Sequence, residues 1–150
     1  MRAVFRPMQY IDLSTVMEIE TIAYPFPWTL QNFKDRLRMG YIAKVLELDD
    51  KLTGYGIISV AADEAQILNI CVHPNQQRHG YGQLILKYLL GLASFQAAKS
   101  VFLEVRISNQ TAINLYQKNG FNQIALCKDY YPNGKKGRED ALIFALEIGF

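Results

Sequence analysis

"AQILNICVHPNQQRHGYGQLILKYLL", from Ala65 to Leu90, decides how the rest of the chain reads. "AQILNICV" is almost entirely apolar, which predicts a central strand covered on both faces. "LILKYLLGLA" then carries apolar residues at helical spacing, with Leu84, Ile85, Tyr88, Leu89, Leu92 and Ala93 as the expected buried stripe of a helix running to about Gln96. Between strand and helix lie Gly80 and Gly82, preceded by Gln77 and Arg78. A strand that passes straight into a helix through a glycine loop is an α/β element with a crossover to follow.

Working outward, "AVFRPM" reads as a short strand ending at Pro7, and Asp12 as the cap of a helix to about Ala23. "YPFPW" forbids that helix to continue. Thr29 is the expected cap of a second helix, stopped by Gly40. "YIAKVLEL" and "LTGYGIISVA" flank "DDK" as a hairpin. Beyond the glycine loop and its helix come a strand "SVFLEVR", a helix capped by Ser108 or Asn109 and stopped by Gly120, and two strands around "PNGKKG". The order predicts one α/β domain over residues 1–150, with a mixed, mostly antiparallel central sheet flanked by about four helices.

The chain has 150 residues, half of them hydrophobic and one fifth charged, with a net charge of +2. That balance suits a soluble globular domain, and the small charge argues against a broad nucleic-acid footprint. No apolar run reaches the ~20 residues that span a bilayer. Cys71 and Cys127 lie far apart without metal-ligand spacing, and His73 and His79 lack a third ligand, so neither a disulfide framework nor a metal site is expected. A reducing, cytoplasmic location follows most simply.

The glycine loop has its own chemistry. A helix start offers unpaired N–H groups at the positive end of its dipole, where anions bind. Gly80 and Gly82 clear space for such a group, and Arg78 adds a charged donor. The third glycine of a dinucleotide fingerprint and the Gly-Lys-Ser/Thr of a P-loop are both missing. The residues therefore predict a pyrophosphate cradle of another kind.

"VHPNQQRHGYG" resembles the Val-x-Pro-x-x-Gln/Arg-x-x-Gly-x-Gly/Ala signature of the GNAT superfamily of N-acetyltransferases, and the element order matches that family over essentially the whole chain. The resemblance implies acetyl-CoA as co-substrate and no metal. It implies a pyrophosphate held around Gln77, Arg78, His79, Gly80, Tyr81, Gly82 and Gln83, and a pantetheine arm along the backbone of Ile70, Cys71 and Val72. "AYPFPWT", "EVRISNQTAINLYQKNGF" and "YYPNGKKGREDALIFAL" resemble the RimI branch. That branch acetylates the N-terminal amine of a ribosomal protein beginning with alanine, so the implied partner is an acceptor protein's N-terminus.

Strand alternation puts Phe102, Glu104 and Arg106 on one face of "SVFLEVR". An acyl transfer to an amine needs a base, and Glu104 is the candidate, with a Glu104–Arg106 ion pair as the structural alternative. Tyr116 is the candidate acid. Asn109 shares its helical face and can touch the same ligand, whereas a packed core tyrosine is the alternative. Phe26, Trp28, Tyr130 and Tyr131 are expected to wall a slot for the acceptor, with rigid turns and packing as the structural alternative. A Cys71–His73 nucleophile is disfavoured by the apolar strand around Cys71. Three readings of the activity stay open on residues alone: N-terminal acetylation; acetylation of lysine, a polyamine or another small amine; and a non-catalytic acyl-CoA-binding subunit. The presence of both Glu104 and Tyr116 counts against the last.

Overall fold

A computed structural model describes residues 2–149. They form seven strands and four α-helices in the expected α/β order. These are β1 (Ala3–Pro7), α1 (Leu13–Ala23), α2 (Leu30–Arg38), β2 (Ile42–Leu48), β3 (Lys51–Ala61), β4 (Glu64–Val72), α3 (Tyr81–Phe95), β5 (Ser100–Arg106), α4 (Gln110–Lys118), β6 (Asn122–Pro132) and β7 (Arg138–Glu147). The chain gathers into two compact units, Met1–Ser59 with Ile67–Leu92, and Val60–Gln66 with Ala93–Phe150.

In the first unit β2 pairs antiparallel with both β1 and β3. The hairpin between β2 and β3 closes on Asp49 and Asp50, both at positive φ (50° and 69°), the geometry of a two-residue turn whose twist matches the strands. Helix α1 buries Leu13, Val16 and Ile19 at helical spacing, against Phe33 of α2 and Val45, Tyr55 and Ile57 of the strands. Each such side chain stabilises the unit by roughly 1.5–3 kcal/mol. Thr29 caps α2 as expected, in reciprocal hydrogen bonds with Asn32.

Two expectations are corrected here. Asp12 precedes α1 but makes no side-chain cap. Its carboxylate instead takes both terminal nitrogens of Arg6, each at 2.8 Å, and the Gln9 N–H. A forked, charge-assisted pair outweighs a neutral cap, and those Arg6 hydrogen bonds hold the Asp12 carboxyl below its ordinary range. On α3, Leu84 is exposed and Leu86 is buried instead. The buried face of α3 is Ile85, Leu86, Leu89 and Ala93, one step round the helix from the stripe expected.

Two glycines let α3 lie directly on β3. A Cβ at Gly54 would stand 2.8 Å from the Cys71 carbonyl oxygen and 3.1 Å from Ile85 Cδ1. One at Gly56 would meet Ile85 and Leu89, each at 2.8 Å.

In the second unit β7 pairs antiparallel with β5 on one side and β6 on the other. Val101, Leu103, Val105, Ile113, Phe121, Ala141 and Phe144 are buried there. Asn109, not Ser108, caps α4 by accepting from the Ala112 N–H. Strand β6 shifts register twice, between Gln123 and Ala125 and between Cys127 and Tyr131. Nothing in the sequence pattern announced these bulges.

Gly54→Ala tests the close approach. The Cβ would press on a strand carbonyl, which cannot yield as a side-chain tip does, so a loss of about 1–3 kcal/mol is expected in urea denaturation. An unchanged midpoint would show that β3 and β4 can part at no cost.

Candidate functional site

The glycine loop leaves β4 and reaches α3 by way of two left-handed residues, Arg78 at φ +67° and Gly80 at φ +83°. A non-glycine residue in that region stores strain and is uncommon, so the loop's shape is enforced by its surroundings. Gln77, Arg78, His79 and Gly80 are exposed, and Tyr81, Gly82 and Gln83 are half-buried in the first turn of α3. Apart from Gly80 and its two chain neighbours, no residue comes within 4 Å of the place where a Gly80 Cβ would stand. The Gln77 amide turns back to donate to the Val72 carbonyl at 3.2 Å. His73 accepts from the Asn75 N–H and so caps the short turn that follows it.

Of the strand residues, Cys71 and Val72 are buried and Ile70 is half-buried. The Ile70 carbonyl accepts from the Tyr24 hydroxyl. Burial pushes the Cys71 thiol up to about 12, which makes it an inert packing residue. Among the described residues no group of three or more His, Cys, Asp and Glu gathers as a metal would need.

The "YPFPW" loop also belongs to the first unit. Phe26 is exposed. Trp28 is half-buried, with its ring 5.0 Å from Phe33 and the Arg36 guanidinium 5.3 Å from its centroid. Beneath the loop lies Glu20, 1% exposed, which the hydrophobic pattern of α1 gave no reason to single out. Its carboxylate accepts from the Trp28 N–H at 2.9 Å, the Tyr55 hydroxyl at 2.6 Å and the Asn69 amide at 3.0 Å.

The second unit holds the candidate base and acid. Glu104 faces out of β5 between buried Leu103 and Val105. Glu104 is the main influence on the Tyr130 hydroxyl and raises its pKa, with burial adding to the effect. Arg106 donates to Glu139 at 2.8 Å and to the Pro132 carbonyl at 2.9 Å, and stacks 4.4 Å from the Tyr131 ring centroid. Glu139 also accepts from the Ser108 N–H, at 3.3 Å. Tyr130 and Tyr131 stand edge to face with centroids 5.0 Å apart. Tyr116 is 8% exposed and edge-on to Phe121. Burial, and then Tyr131 nearby, raise its hydroxyl well above the ordinary phenol value. Tyr116 therefore stays undissociated at neutral pH and can donate. Burial and then Glu104 also lift Tyr131 to about 12.

The bulge in β6 aims these tyrosines. Asp129 sits at φ +52°, and its N–H donates to Asp140 at 2.9 Å. The Arg138 guanidinium donates to the carbonyls of Asp129 and Tyr130, each at 2.7 Å. A bulge re-aims side chains without ending a strand.

Residues 13–121 match the model of the Acetyltransferase (GNAT) family. The chain belongs to the GNAT family of acetyltransferases. The ribosomal protein bS18-alanine N-acetyltransferase of Salmonella typhimurium is 38% identical over 137 residues, covering 91% of this chain and 92% of that one. Its Escherichia coli K12 counterpart is 37% identical, covering 94% and 95%. The crystal structure of the ribosomal-protein-S18-alanine N-acetyltransferase from Escherichia coli superposes with a TM-score of 0.91 at 35% identity, over 99% of this chain and 96% of that one. The GNAT fold and the transferase class expected from the sequence are thereby shown.

The residues that sequence reasoning missed are Glu20, Glu139 and Arg138, each of which acts through a partner remote in the chain. Glu139 makes a measurable case. Burial alone would raise its pKa, but hydrogen bonds from Arg106 and Ser108 outweigh that and hold it below the usual carboxylate value. A lowered folded value means stability present above the unfolded pKa of about 4.3 and lost as pH falls through the folded one. Glu139→Gln should therefore cost about 1–2 kcal/mol at pH ~7, less than for a fully buried pair, and the gap from wild type should close below pH ~4. Urea melts at both pH values check this; a gap that persists in acid would show that Glu139 acts by shape alone.

Proposed function

We propose that this acetyltransferase moves the acetyl group of acetyl-CoA to the α-amine of an N-terminal alanine, with ribosomal protein bS18 as acceptor. The observation that carries the reading is Glu104. It is an exposed carboxylate on β5, near enough to Tyr130 to raise that hydroxyl's pKa, in a chain whose relatives bear that activity in their names over more than nine-tenths of this chain's length.

The residues fit the cofactor. The exposed loop Gln77–Gly80, with its left-handed Arg78 and Gly80 and the start of a 15-residue helix behind it, suits a pyrophosphate, with Tyr81, Gly82 and Gln83 completing the cradle. The backbone of Ile70, Cys71 and Val72 suits the pantetheine arm. The Ile70 and Val72 carbonyls already accept from Tyr24 and Gln77, and each carbonyl has a second lone pair to offer. Acetyl-CoA supplies the acetyl group as a thioester.

The chain's own residues do the rest. Glu104 takes the proton of the acceptor ammonium, through water. An α-amine of pKa about 7.7–8.0 is within reach of such a base, whereas a lysine near 10.4 asks more of it. Tyr116, undissociated, donates to the sulfur as it departs. Asn109 holds the start of α4 on which Tyr116 stands. In the first unit Phe26 and Trp28, and in the second Tyr130 and Tyr131, are the aromatic side chains assigned to the acceptor. We read residues 1–150 as one acetyltransferase domain, since the family match runs through both compact units. We assign the enzyme to the cytoplasm on the strength of the proposed ribosomal acceptor.

Peptides that carry the acceptor's N-terminal sequence, with alanine or a bulkier first residue, a free or blocked α-amine and one internal lysine, test the reading by mass spectrometry. Transfer should fall by about tenfold or more when the first side chain is enlarged, a loss of ~1.4 kcal/mol, and should vanish when the α-amine is blocked. Equal incorporation into blocked peptides would overturn the N-terminal assignment in favour of lysine.

A further inference from the structure

We infer that Glu20 is a positioning residue for the acceptor: its buried carboxylate fastens the Tyr24–Trp28 loop to the strands beneath it. Glu20 belongs to the buried side of α1, where a charge is costly unless every lone pair is used. Here it is used in two directions. One oxygen, Oε2, accepts from the backbone N–H of Trp28. The other, Oε1, accepts from Tyr55 on β3 and Asn69 on β4. Burial raises the Tyr55 hydroxyl far above its ordinary value, so it stays a donor.

The loop cannot hold itself. Pro25 and Pro27 bring no N–H, and the segment between α1 and α2 has no strand partner. Among the contacts that tie it to the rest of the unit are Tyr24, which donates to the Ile70 carbonyl, and Trp28, fixed by Phe33 and Arg36 as well as by Glu20. Asn69 is adjacent to Ile70, so Glu20 and Tyr24 tie the two ends of the loop to neighbouring residues of β4. A side chain with two acceptor oxygens can serve an amide above and two donors below in one stroke. Asn and Gln carry a single carbonyl oxygen and cannot do this without turning.

The inference rests on the reading of Phe26 and Trp28 as an acceptor wall, and the test separates the two. Trp28 is the chain's single tryptophan, so its fluorescence reports the loop directly. Glu20→Leu keeps the bulk and removes both acceptors. Its Trp28 emission should shift to the red and quench more readily. The KM for an alanine-terminated peptide should rise by about tenfold, while the calorimetric affinity for acetyl-CoA stays within about twofold. Glu20→Gln keeps one acceptor for the Trp28 N–H but sets an amide donor against the Asn69 amide, so it should recover only part of both changes. An unchanged emission and an unchanged KM in Glu20→Leu would overturn the clamp. A shifted emission with unchanged KM would show that the loop does not face the acceptor, and the positioning role would fall with that reading. If the leucine variant does not fold, the wild type decides. Its Trp28 amide should exchange with deuterium at least about 100-fold slower than in a free peptide, and exchange at the free rate would overturn the clamp.

Discussion

Strand β5 can bury only one face, and the candidate chemistry follows from which one. Val101, Leu103 and Val105 are driven into the core of the second unit, at 0%, 1% and 5% exposure. Alternation then obliges Glu104 and Arg106 to share the other side. Glu139 offers Arg106 a closely held partner, and the Pro132 carbonyl and the Tyr131 ring complete the seat. Glu104 faces Tyr130. A guanidinium engaged in this way acts as a rivet between β5, the turn before α4 and the β6–β7 region.

The first unit solves a comparable problem with a buried acid. Glu20 spends an otherwise costly charge on joining a proline-rich loop to β3 and β4. In the second unit Glu139 likewise fastens backbone outside the strands, accepting from the Ser108 N–H in the turn before α4.

Much of this was legible in the sequence, for reasons of range. The caps at Thr29 and Asn109 act on residues three positions away, and glycine stops such as Gly120 depend on their own φ. The glycine loop was readable because strand, loop and helix are consecutive. Asp12 misled because its position before a helix is a cap signal, whereas the side chain that claims it, Arg6, stands on β1. Glu20 meets its donors 8, 35 and 49 residues along the chain, and Arg106 meets Glu139 33 residues on. No local pattern encodes such pairs. The β6 bulge is equally silent, since Arg138 and Asp140 create it from the neighbouring strand.

The claim on which the account turns is that Glu104 removes the proton. Single-turnover transfer by Glu104→Gln, with saturating acetyl-CoA and an alanine-terminated peptide, measures that step apart from binding. The account predicts a rate lower by about 10²–10⁴, with calorimetric acetyl-CoA affinity within about twofold of wild type. A single-turnover rate within a few-fold of wild type across neutral pH would contradict it and return Glu104 to a structural role on β5.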